Sequence, residues 1–151
     1  MIGEYGSVEE AERRLNDYGK MKIAVQSLTD EIAELEALLR DESIASPRYG
    51  VDAIGGGGEL TATEAAAARR VRIKEQVGVL QRRIASMERR IRAIDRALDT
   101  LPLVDGAIVR GRINGLSWVQ IGERAGFTER GARKRHSRAM KDIGLMLFGV
   151  A

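Results

Sequence analysis

Two stretches of this chain carry apolar residues at alternating spacings of three and four. That period restricts each stretch to a long helix with one buried seam. In the first, Tyr18, Met21, Val25, Leu28, Ile32, Leu35 and Leu39 mark the seam. Val8, Ala11 and Leu15 carry it upstream, with a one-residue slip near Lys22 that shifts the phase without breaking the helix. In the second, Ile73, Val77, Leu80, Ile84, Met87, Ile91, Ile94, Leu98 and Leu101 alternate four and three. No segment of the 151 residues reads as a strand, so the expected fold class is all-α.

Charge is sorted along the chain. Residues 1–60 carry −7, residues 61–100 carry +5 and residues 101–151 carry +5, within a total of +3. The first helix holds Glu9, Glu10, Glu12, Asp30, Glu31, Glu34 and Glu36; the second holds Arg69, Arg70, Arg72, Arg82, Arg83, Arg89, Arg90 and Arg92. Each would repel a copy of itself and attract the other. The expected arrangement is a long antiparallel hairpin, a coiled coil over residues 1–100, with helices at about 7–40 and 61–100. Thr61 and Glu64 form a capping box at the start of the second helix. Two helices bury little behind a single seam, so pairing of two hairpins into a homodimeric bundle is a further expectation.

Residues 41–60 lose the period. They contain Ser43, Ser46, Pro47, Gly50 and the run Gly55-Gly56-Gly57-Gly58, and read as a flexible connector. A phosphate-cradling loop is a poor match, because no Lys-Ser/Thr follows the glycines and no strand precedes them.

Beyond Leu101-Pro102 the pattern changes to three short helices, which define a second expected domain, residues 101–151, read as a helix-turn-helix DNA-binding domain. The first should span about 103–113, burying Val104, Ile108 and Val109 or Ile113. Asn114-Gly115 closes it. Ser117 and Gln120 form a capping box opening a helix over about 117–125, Gly126 caps its end, and Phe127 plugs the turn. Thr128 caps a last helix, about 128–147, whose Ala132, His136, Ala139 and Ile143 share one face.

The opposite face of that last helix is basic. Arg130, Arg133 and Lys134 are the candidates for base edges, since Arg and Lys match guanine acceptors in the major groove. Ser137 shares this face, and Arg135, Arg138 and Lys141 lie further along, toward phosphates. Ser117 and Trp118 are placed to meet the DNA backbone from a helix N-terminus. Glu129 either accepts from a cytosine amine or favours the helix dipole, and the second is preferred. A basic helical run is most often a solvated face, but this one follows a capped turn inside a separate helical unit.

Catalytic and metal chemistry find little to use. The chain has no cysteine and a single histidine, His136, which sits on an apolar face and reads as a packing residue. No carboxylate pair, nucleophile–base set or ligand cluster stands out, so the expectation is a non-enzyme without cofactor or metal. The start of the chain carries no basic segment followed by an apolar run, and nothing approaches the length of a membrane span. The expected setting is the cytoplasm, with no membrane partner.

The stretch LPLVDGAIVRGRINGLSWVQIGERAGFTERGARKRHSRAMKDI resembles region 4 of bacterial sigma factors, the part that binds the −35 promoter element. Leu-Pro, a helix, Gly-Leu-Ser-Trp, Ile-Gly-Glu, Ala-Gly-Phe-Thr and a basic helix ending in Arg-Ala carry the likeness. The chain departs from that family at Gly122, where Ala is usual, and at Gly131 and His136. Nothing resembles sigma region 2. The whole layout of acidic helix, Gly-rich loop, basic helix and sigma-4-like tail is similar to phage-encoded transcriptional regulators of the ArpU/RinA type. That resemblance implies sequence-specific binding of promoter DNA, late-gene activation and contact with RNA polymerase, in the cytoplasm of a bacterial host cell. Two other readings stand beside it: a small terminase-like packaging protein that oligomerises through its long helices, and a coiled-coil protein that binds no DNA.

Overall fold

The computed structural model describes residues 4–44 and 61–149. They form five helices: α1 (Glu4–Ile44), α2 (Ala62–Thr100), α3 (Leu103–Ile113), α4 (Trp118–Ala125) and α5 (Glu129–Phe148). No strand occurs among the described residues. The three short helices fall within a residue or so of their expected spans. α1 is longer than expected and stays helical through Ile44, four residues into the stretch read as connector. The four glycines at 55–58 lie outside the described residues. Thr61 Oγ1 accepts from Glu64 N at 3.2 Å while Thr61 N donates to the Glu64 carboxylate at 3.3 Å, the expected capping box.

The described residues form two compact units. One comprises Met1–Ile23 with Met87–Ala151, the other Ala24–Ser86. This differs from a division at residue 100, because the ends of both long helices belong with the short ones. The reason lies in the first unit's core. Ala139, Met140 and Ile143 of α5 share one buried cluster with Ala11, Leu15 and Met21 of α1, Ile94, Ala97 and Leu98 of α2, Leu101, and Val109 of α3. Here the apolar seam of the long helices is the floor on which α5 packs. Gly144 comes so close to α1 that a Cβ there would lie 3.2 Å from Ser7 Oγ and 3.3 Å from its carbonyl oxygen. The Tyr18 hydroxyl donates to Asp95, so α1 and α2 also meet through a polar bond in this unit. Burial and that bond raise the Tyr18 pKa.

A second, smaller cluster holds the short helices together: Ile108, Ile121 and Ala132, with Leu116, Trp118, Ala125 and Phe127 against it. α3 thus buries Ile108 toward α4 and α5, and Val109 toward the long helices. Val104, expected inside, is exposed, because it falls on the flank of α3 that neither cluster reaches.

In the other unit the two helical segments meet along the seam. Arg70 donates to the Leu39 carbonyl at 3.5 Å. A late residue of α1 meets an early residue of α2, the order of an antiparallel hairpin. Only Val77 and Leu80 are buried there among the described apolar side chains.

Met140 is 0% exposed at the centre of the larger cluster. Met140→Ala is expected to lower stability by about 2–5 kcal/mol in urea unfolding, through lost burial and the cavity left behind. Leu145→Ala, on the exposed flank of the same helix, is expected to stay within about 0.5 kcal/mol.

Candidate nucleic-acid interface

The basic face of α5 is held in place by backbone chemistry on either side of a short turn. Ser117 is the N-cap of α4. Its Oγ accepts from Gln120 N at 3.2 Å, and Gln120 Oε1 accepts from Ser117 N at 2.9 Å. α4 ends at Gly126, which takes the left-handed conformation at φ 74°. Phe127 N donates back to the Gly122 carbonyl at 2.9 Å. Thr128 then caps α5, its Oγ1 accepting from Gly131 N at 3.0 Å. Gly122 is required by this closure. A Cβ there would sit 2.7 Å from the Phe127 carbonyl oxygen, a backbone atom that cannot step aside. Glycine at this position therefore has a local cause: the turn passes directly over residue 122.

Beyond this turn, α5 turns Ala132, Ala139, Met140 and Ile143 inward, and leaves Arg130, Arg133, Lys134, Ser137, Arg138 and Lys141 exposed. Arg130, Lys134 and Arg138 have no ion-pair partner among the described residues. Arg133 Nη2 donates to Glu129 Oε1 at 2.8 Å, one helical turn back. Glu129 thus serves both the helix dipole and the orientation of Arg133. The Ser137 hydroxyl donates to the Arg133 carbonyl at 3.1 Å and is turned toward its own helix.

Arg135 does not join the phosphate-facing set. It is half-buried, its Nη1 donates to Asp105 Oδ1 of α3 at 3.1 Å, and its guanidinium lies 4.6 Å from the centre of the Phe127 ring. It ties α5 to α3 and to the turn, because position 135 falls on the flank facing α3 rather than on the open face.

Trp118 is the hub of the other flank. The Arg112 guanidinium lies over its ring at 4.6 Å and that of Arg133 at 5.4 Å, while His136 meets it edge-on at 5.1 Å. Arg112 also donates to the Leu116 carbonyl at 3.1 Å. These side chains line a cleft of about 400 Å³ whose other wall includes Glu12 and Asn16 of α1. Sequence reasoning missed Arg112 and the α1 wall. Arg112 precedes Asn114-Gly115 by two residues, in the last turn of α3 where a cation is common, and nothing in the local pattern brings α1 beside α5.

Burial lowers the His136 pKa below its ordinary 6.5, and the nearby Arg112 cation adds to this. The imidazole is therefore neutral at pH 7. Among the described residues there is no group of three or more metal-capable side chains, and no helix is long and apolar enough to cross a membrane.

Compared with protein-family models, with curated proteins and with solved structures, the chain matches none.

Three outcomes are expected at Gly122, Gly19 and His136. Gly122→Ala is expected to destabilise the first unit by about 1–3 kcal/mol in thermal or urea unfolding, through steric overlap with the turn. Gly19→Ala is expected to stabilise by up to about 1 kcal/mol, since a methyl there meets nothing within 4 Å and the helix gains propensity. His136 sets a pH dependence of definite sign. Below 6.5 the unfolded chain takes up a proton that the folded imidazole resists, so stability present above that pH is lost as pH falls toward the folded pKa. A proton NMR titration of this single histidine should give a midpoint below 6.5, and His136→Gln should flatten the pH slope of unfolding between 7 and 5.

Proposed function

We propose that this chain is a sequence-specific DNA-binding transcriptional regulator of phage or prophage type, reading promoter DNA through α4 and α5. The observation that carries the reading is the open basic face of α5. Arg130, Lys134 and Arg138 stand exposed, without ion-pair partners among the described residues, on a helix capped at Thr128 and anchored through its opposite face. Three features support it further. Ser117 and Thr128 rigidify the helix starts, Arg133 is pre-oriented by Glu129 and Trp118, and the sequence of this stretch resembles sigma region 4.

On this reading the N-terminal part of α5 enters the major groove. Arg130, Arg133 and Lys134 meet base edges, while Arg138 and Lys141 meet phosphates. Ser117 and Trp118 approach the backbone from the start of α4. Contact with RNA polymerase belongs to the same proposal and rests on the resemblance alone.

Selection of bound sequences from a random duplex pool, at two salt concentrations, tests it. A defined site should emerge, with affinity falling steeply as salt rises. Arg133→Ala should cost about 1–3 kcal/mol on the selected site and relax preference at one or two base pairs. Arg138→Ala should weaken all duplexes alike and reduce the salt slope by about one. Equal affinity for selected and random duplex, or no effect of either substitution, would overturn the reading.

A further inference from the structure

The seam of the long helices is covered by α5 and α3 in one unit and only partly buried among the described residues of the other. In the unit of Met1–Ile23 and Met87–Ala151, α5 and α3 complete a buried cluster over it. Among the described residues of Ala24–Ser86, two helical segments are present. Val25, Leu28, Ile32, Leu35, Ile73 and Ile84 hold seam positions there, yet stay half-buried. Among the described residues no third helix covers the same heptad pattern here, and Leu38 beside it is 50% exposed.

Four charges that border this partly buried seam have no ion-pair partner among the described residues. Glu31 directly precedes Ile32 and Glu36 directly follows Leu35; on α2, Lys74 follows Ile73 and Arg83 precedes Ile84. These are the flanking positions at which coiled-coil helices form interhelical ion pairs and choose partners. None of the four has an ion-pair partner among the described residues. The complementarity between acidic α1 and basic α2 is therefore not used up at these positions within one chain.

We propose that a second copy of this chain covers the open seam, the two copies of this unit forming a four-helix bundle in which Glu31 and Glu36 of one copy face Lys74 and Arg83 of the other. A second copy fits because the unit carries both signs. Under two-fold symmetry α1 meets the other copy's α2 twice, and both contacts attract, whereas α1 on α1 or α2 on α2 would repel. This pairing is independent of DNA binding.

Sedimentation velocity on the full chain at micromolar concentration tests it, with circular dichroism reporting helicity. The unaltered protein should be a dimer that dissociates more readily as ionic strength rises. Glu31→Lys with Glu36→Lys should weaken the dimer by about tenfold or more, as should Lys74→Glu with Arg83→Glu, because each replaces attraction by repulsion at every flanking contact. An equimolar mixture of the two double variants should restore a dimer of near-original affinity. A monomer at all accessible concentrations, a ring of many copies, a dimer indifferent to salt and to both double variants, or a mixture that fails to recover would each overturn the proposal.

Discussion

Everything in the first unit depends on the burial of one stripe of α5 against the ends of the long helices. Ala139, Met140 and Ile143 are sealed into a cluster with Ala11 and Leu15 of α1 and Ile94, Ala97 and Leu98 of α2. A three-helix unit of this size has little interior of its own. Ile108, Ile121 and Ala132 supply only a small second cluster between the short helices. Burying a Met and an Ile fully contributes on the order of 1.5–3 kcal/mol each, enough to decide whether α5 docks or drifts. Because the stripe is spent on this contact, the opposite face of α5 is left to solvent with its cations outward.

The turn between α4 and α5 is the second constraint, and it works through exclusion. Gly126 supplies the left-handed cap, and Gly122 lets the Phe127 carbonyl pass where a methyl would block it. Ser117 and Thr128 satisfy backbone donors at the helix starts. Arg135 then pins α5 to α3 through Asp105. One cation of the basic helix is thereby withdrawn from the open face in order to hold the others in position.

Much of this was legible in the residues. The five helices, both capping boxes, the Gly126 cap, the inward face of α5 and the exposure of Arg130, Arg133, Lys134 and Arg138 all follow from spacing and turn chemistry. Those are local properties, set within one or two helical turns. What could not be read there is long-range. Val104 is solvated because the two clusters take the other flanks of α3, Arg135 faces inward because of where α3 lies, and Arg112 stacks on Trp118 across a turn. Glu12 and Asn16 line a cleft with Arg133 and His136 although more than a hundred residues separate them in sequence.

The sequence by itself determined helix identity, helix ends and which face of each helix is apolar, because periodicity and caps act through the chain's own backbone. Only the tertiary structure decided which apolar faces meet. A heptad seam states that it must be covered but not by what. In one unit the cover is α5, and the chain divides across the long helices at Ile23 and Met87 rather than at residue 100. In the other, among the described residues, the same seam is only partly buried, with Val77 and Leu80 its most enclosed side chains.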